Sequence, residues 1–287
     1  MVGCAAQAMS FTHFIAIDWS GAKGTRHKGI AVAVAQAGEA APRLILRDKP
    51  WSRTEILHWL LECPGRPLIG FDFSFAPPFL ARGAYLPGVA TPDQAPDFWA
   101  WLDRHCPDAD LGAASFLEET QRPHFYFGAK DGRKADYMHL RQCEIYFNAQ
   151  GGGKPSSIFD CIGAAQVAKA SFAGMRLLHR LHPHFSIWPF QAVRKNKGVV
   201  VEIYTRNFLR MAGGRGLKIR NRTDLNLALK SLDSQPWRGR AALTDHITDV
   251  LVSAAGLRRI ADQPAYWRPA PLTPALASRE GWTFGIL

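Results

Sequence analysis

Phe14-Ile15-Ala16-Ile17-Asp18-Trp19-Ser20-Gly21-Ala22-Lys23-Gly24 is an apolar run that ends on a carboxylate and breaks at once into small residues. Such a run predicts a short buried strand closed by Asp18 and followed by a tight turn. An unpaired charge at the rim of a sheet core is expensive. A carboxylate kept there implies a metal, a phosphate-bound metal or a cationic partner. The arrangement recurs in Pro67-Leu68-Ile69-Gly70-Phe71-Asp72-Phe73, where a second apolar strand delivers Asp72 near its end. A third acid, Glu202, sits inside Val199-Val200-Val201-Glu202-Ile203-Tyr204.

Outward from these strands, the pattern predicts further strands near 28–36 and 43–48, joined by short Gly-containing turns that suit antiparallel hairpins. Ser52-Arg53-Thr54-Glu55 is a capping box that opens a helix, and Pro64-Gly65 stops it. A helix between two strands implies a right-handed crossover, so the strand at 67–73 is expected to run parallel to its neighbour. The stretch 76–197 reads as a large, mainly helical insertion with helices near 97–105, 136–147, 158–169 and 171–181. A strand at 198–204 then leads into helices near 205–212, 223–232 and 244–261. Residues 1–12 are expected to be a flexible N-terminus, and 13–287 a single domain.

The last helix supplies further acids. Thr244 is a plausible N-cap, and Asp245 and Asp249 stand four apart, about 40° from one another around the helix. Asp245 reads equally well as a first-turn acid favoured by the helix dipole. Asp249 lies on a helix that is apolar most of the way round, and a half-buried carboxylate needs a partner.

The chain has 287 residues, 47% of them hydrophobic, enough for one large domain. No apolar stretch approaches the roughly 18 residues of a membrane span, and Met1–Ser10 lacks the basic start and apolar core of a signal peptide. Five scattered cysteines without a C-x-x-C pair read as reduced thiols, which suits a cytoplasmic protein. Charge is less ordinary. The formal net charge is +11, and the segment from Arg176 to Arg222 alone carries +10, with Glu202 its single acid. Concentrated positive charge with His, Trp and Tyr interleaved suits a nucleic-acid partner. Candidate contacts are Lys23, Arg194, Lys195, Lys197, Arg215, Lys218, Arg220 and Arg222.

Three antiparallel strands, a helix, a parallel strand, an insertion, another strand and a closing helix describe an α/β protein with an RNase H-like mixed five-stranded sheet flanked by helices. In that order the first strand lies beside the fourth, about 4.8 Å away, so Asp18 and Asp72 can share one cation. Ile15-Ala16-Ile17-Asp18, Gly70-Phe71-Asp72-Phe73, Val200-Val201-Glu202-Ile203-Tyr204, Asp245-His246-Ile247-Thr248-Asp249 and Glu280-Gly281-Trp282-Thr283-Phe284-Gly285 resemble domain-of-unknown-function 429, a family of predicted nucleases of RNase H-like fold. The middle stretches Ser157–Met175 and Ile187–Phe190 are similar to the same family. Thr205 stands where that family commonly has Pro, and His246 follows Asp245 where paired acids often open the last helix.

The resemblance implies metal-dependent phosphodiester hydrolysis, with Asp18, Asp72, Glu202 and Asp249 as catalytic carboxylates. Asp18, Asp72 and Asp249, with Asp245, would hold Mg²⁺ or Mn²⁺, the ions that hard oxygen ligands favour. Glu202 either joins them or orients a Lys or Arg. Two other readings stand beside this one. A non-catalytic nucleic-acid-binding module keeps the basic segment and leaves the convergence of acids unexplained. An actin-like phosphotransferase shares a related sheet but needs a second Gly-rich phosphate hairpin, and Phe73-Ser74-Phe75-Ala76-Pro77-Pro78 has no glycine.

Overall fold

The computed structural model describes residues 10–162, 167–214 and 218–287. Among them, six strands form one mixed sheet: β1 (His13–Asp18), β2 (Ala31–Gln36), β3 (Arg43–Leu44), β4 (Pro67–Phe71), β5 (Ser186–Ile187) and β6 (Val199–Glu202). Their order is β3-β2-β1-β4-β6-β5. β1 pairs antiparallel with β2 and parallel with β4, and β6 runs parallel to both β4 and β5. The expected neighbours β1 and β4 are therefore adjacent. The expected count of five strands is corrected to six: β5, too short to carry a hydrophobic period, adds itself to the edge from within the 76–197 stretch.

Helices cover both faces of the sheet: α1 (Arg53–Leu61), α2 (Ala95–His105), α3 (Gln142–Ala149), α4 (Val167–Leu181), α5 (Thr205–Met211), α6 (Arg222–Ser231) and α7 (Asp245–Ile260), then the short α8 (Pro264–Trp267) and α9 (Pro274–Arg279). The capping box of α1 forms as its sequence predicts, with the Ser52 hydroxyl accepting from the Glu55 N–H and the Glu55 carboxylate from the Ser52 N–H. In place of the two helices expected at 158–169 and 171–181, the described residues contain one, α4. The expected flexible N-terminus lies largely outside the described residues. Cys63, Cys106, Cys143 and Cys161 are free thiols. No helix among the described residues is long and apolar enough to cross a membrane.

Successive strand residues point to opposite faces, and here the alternation sorts two cores. Ile15, Ile17, Ile69, Phe71 and Val200 pack with α1, α2 and α4. Phe14, Ala16, Leu68, Val199 and Val201 pack with α5, α6 and α7. Each fully buried aliphatic or aromatic side chain contributes roughly 1.5–3 kcal/mol, enough to offset the cost of holding acids at the strand ends. The stretch 76–197 is no appendage, because its α2 and α4 form most of one of these cores. Gly70 lets α7 lie directly on the sheet. A Cβ there would stand 2.7 Å from Ile203 and 2.8 Å from Leu257. That contact fixes α7, whose N-terminal turns then reach the C-terminal ends of β1 and β4.

Candidate active site

Ile17 pairs with Phe71 across β1 and β4, and the Asp72 N–H extends the ladder by donating to the Ile17 carbonyl at 3.2 Å. Asp18 and Asp72 thus stand side by side one step beyond the last pair. Alternation turns both toward the α7 face, opposite to Ile17 and Phe71. Asp249, one turn into α7, completes the group, and all three line a cavity of about 590 Å³.

The charges of these carboxylates act on one another. Burial pushes Asp72 well above the usual carboxylate range, and the charges of Asp18 and Asp249 push it further. Burial, then Asp18 and Asp245, raise Asp249 to about 7. The site is short of positive charge. Two neighbours relieve it in part. The Thr205 hydroxyl donates to Asp72 Oδ2 at 3.1 Å, and His246 Nδ1 meets Asp18 Oδ2 at 2.6 Å, which raises the imidazole pKa. Thr205 and His246 are the two positions at which the chain departs from the pattern it resembles. Among the described residues, no three His, Cys, Asp or Glu side chains are gathered closely enough to hold a metal ion as they stand. A shared cation therefore requires the carboxylates to rotate toward one another. The donor set itself, three carboxylates whose mutual repulsion is only partly offset by His246 and Lys218, suits a hard divalent ion.

The loop after Asp18 is built rigidly. Arg53, 1% exposed, donates to the carbonyls of Ser20 at 2.9 Å and Ala22 at 2.7 Å. Its backbone N–H is held by Asp110, which also accepts from Thr54 and contacts His27. On the other side a Cβ at Gly21 would stand 2.1 Å from the Ala170 nitrogen, so this turn abuts the start of α4.

Glu202 does not join the carboxylates. It pairs with Phe71 in register, so alternation sends it to the α4 face. There it accepts from both terminal nitrogens of Arg141, at 2.7 and 2.5 Å, from the Phe75 N–H at 2.8 Å and from the Thr283 hydroxyl at 2.6 Å. Of the two roles open to it, orienting an arginine is the one this geometry fits. Asp245 is also corrected as a metal ligand. It lies at the exposed first turn of α7 and is ion-paired with Lys218 and Arg220, and the Lys218 hydrogen bond holds its carboxyl below the usual range.

The expected basic contacts do not form one surface. Lys218 lines the cavity, and Arg220 stands beside it through Asp245. Lys23 follows Asp18 in its turn and is bonded to Glu118 at 2.6 Å. Arg194, Lys195 and Lys197 precede β6, and the carbonyls of Arg194 and Lys197 accept from Arg66, which precedes β4. They therefore lie at the N-terminal ends of parallel strands, about 17 Å of strand away from Asp72. Arg222 instead sits over the Trp237 ring, 5.3 Å from its centroid. Arg215 lies outside the described residues. The cavity is also lined by basic residues not among the expected contacts, Lys154 and Lys169 outside the basic segment and Arg206 within it. The signal for one of them was legible: Gly151-Gly152-Gly153-Lys154 is a glycine-rich turn ending in a cation.

Compared with protein-family models, with curated proteins and with solved structures, the chain matches none.

The raised pKa of Asp249 has a consequence for stability. A carboxyl whose folded pKa lies near 7 rather than 3.8 binds its proton more tightly when folded. Its cost is absent below about pH 4, grows as pH rises through the window, and is complete above about pH 7. Asp249→Asn without divalent ions is expected to stabilise the protein by on the order of 2 kcal/mol at pH 8 and by almost nothing near pH 4. Urea unfolding across that range checks it. A stabilisation independent of pH would mean that Asp249 is not the titrating group.

Proposed function

We propose that the protein is a divalent-cation-dependent phosphodiester hydrolase of RNase H-like fold acting on nucleic acid, as its resemblance to domain-of-unknown-function 429 implies. The observation that carries this reading is the mutual crowding of Asp18, Asp72 and Asp249 around one cavity, with two of the three carboxyls pushed up. A sheet with β1 between an antiparallel β2 and a parallel β4 supports the fold assignment.

Asp18, Asp72 and Asp249 would hold Mg²⁺ or Mn²⁺, which when bound would supply charge stabilisation and an activated water for hydrolysis. Thr205 keeps Asp72 oriented, and His246 does the same for Asp18. Basic residues on the rim, Lys169 and Lys218 among them, would meet the phosphates of the substrate.

One observation favours the reading as a non-catalytic binding module, namely that His246 Nδ1 already occupies Asp18 Oδ2 at 2.6 Å. The phosphotransferase reading is weakened beyond its missing glycines. The N–H groups after β4 that would cradle a phosphate are already engaged. Ser74 donates to the Ser171 hydroxyl, Phe75 to Glu202, and Phe79 and Leu80 to Glu280.

The test is cleavage of labelled single-stranded and duplex DNA and RNA with Mn²⁺ and with EDTA. Cleavage with Mn²⁺ that EDTA abolishes is the expected outcome. Cleavage that persists in EDTA would remove the metal from the mechanism.

A further inference from the structure

The turn that follows α3 folds back on that helix and meets two arginines of α5. Gly151 and Gly153 have φ of +71° and +103°, a region that glycine adopts readily. A Cβ at Gly152 would stand 2.4 Å from the Phe147 ring, and one at Gly153 would stand 2.9 Å from Arg206 Nη1. Arg210 donates to the Gly151 carbonyl. Three consecutive glycines thus let the chain pass beneath the Arg206 guanidinium and deliver Lys154 to the cavity beside it. Arg206 directly follows Thr205, the residue bonded to Asp72.

Charge compensation separates these two cations from the others on the rim. Lys169 is paired with Glu118 at 2.6 Å, and Lys218 is paired with Asp245. Lys154 and Arg206 are exposed, line the same cavity, and pair with no carboxylate among the described residues. A lysine and an arginine lining one cavity, each without a carboxylate partner, form a site for an anion such as a phosphate. The cavity, about 590 Å³, is of the size that takes a small ligand. Its volume matches a nucleotide or two of one strand.

We infer that Lys154 and Arg206, positioned by the Gly151–Gly153 turn, form a second phosphate subsite that takes the backbone phosphate next to the one at the carboxylates, so that the substrate is a single nucleic-acid strand. The inference rests on the phosphodiester reading of the cavity and adds the class of substrate to it.

The experiment measures fluorescence anisotropy in EDTA with labelled DNA and RNA strands of about ten nucleotides and with a duplex of the same length. The wild-type protein is expected to bind a strand more tightly than the duplex. Lys154→Ala/Arg206→Ala is expected to weaken strand binding by about tenfold at low salt and to flatten the salt dependence by about one unit of slope. The preference between the DNA and RNA arms identifies the sugar. Both replaced side chains are exposed, and an unchanged melting temperature verifies the fold. Strand affinity and slope that match wild type, or a duplex bound as tightly as the strand, would overturn the subsite. Binding is read without metal, so the two readings fail separately. Loss of strand binding in a protein that cleaves nothing keeps the subsite and removes the nuclease, whereas cleavage and binding untouched by the double substitution do the reverse.

Discussion

Arg141→Met is expected to lower the unfolding free energy by roughly 3–5 kcal/mol, because it breaks a buried ion-pair network at its centre. Arg141 is 1% exposed and reaches Glu202 with both terminal nitrogens and Glu144 at 2.9 Å. It also donates to the Glu280 carbonyl at 3.2 Å and the Ser74 hydroxyl at 3.3 Å. Methionine leaves two buried carboxylates facing each other without a cation, and burial already raises the Glu144 pKa. In the variant Glu144, relieved of the arginine that lowers its pKa, would hold its proton still more tightly when folded than when unfolded. The deficit should therefore be smaller at pH 5 than at pH 8. Urea unfolding at pH 5 and pH 8 measures both size and sign. Arg141→Met/Glu202→Gln/Glu144→Gln should recover much of the loss, because an apolar or neutral replacement of a whole buried network is often tolerated. A loss under about 1 kcal/mol at pH 8 would mean that water reaches these acids.

That network also marks how far the sequence could be read. The strands bearing Asp18 and Asp72 and the helix bearing Asp249 are local patterns of apolar residues, and hydrophobic period makes such patterns legible. The face that Glu202 occupies follows from register, because Phe71 and Glu202 are paired, and register is a property of two strands rather than of one. Its partner Arg141, expected within a helix at 136–147, stands instead as the N-cap of α3, which starts only at Gln142. Glu280 and Thr283 carry part of the motif that resembles the family, and their work proves to be holding backbone and Glu202 in place: Glu280 accepts from Phe79, Leu80 and Gln142, and Thr283 donates to Glu202. The basic segment meets the same limit. Net charge counts cations without saying at which end of a parallel sheet they emerge. Arg194 and Lys197 fall at the end opposite the carboxylates, and Arg176 is spent inside the fold on Asp103 and the carbonyls of Asp108 and Gly112. Lys154 and Arg206, far apart in sequence, come to line one cavity through the Gly151–Gly153 turn.

Asp18→Asn is expected to reduce Mn²⁺-dependent cleavage on the order of 10³-fold, about 4 kcal/mol of transition-state stabilisation. The fold and the binding of nucleic acid in EDTA should be retained. Asp18 is the charge common to the site: it raises both Asp72 and Asp249 and holds His246. The amide keeps the shape and removes the charge that a cation requires. Three further measurements follow from the same contacts. Without divalent ions the variant should melt at the wild-type temperature or slightly above it, because repulsion with Asp72 and Asp249 is relieved while the His246 contact weakens. The His246 pKa, raised by Asp18 in the wild type, should fall in the variant, which an NMR titration reads directly. Saturating Mn²⁺ should stabilise the wild type, by about 2.7 kcal/mol at a hundred times its dissociation constant, and should leave the variant nearly unchanged. If wild type gains no stability from Mn²⁺ and cleaves neither DNA nor RNA, the hydrolase reading fails, and a binding module in which His246 stays bonded to Asp18 takes its place. If the variant unfolds while wild type ignores Mn²⁺, Asp18 is a structural acid whose partner is His246, and the carboxylate group has no catalytic meaning.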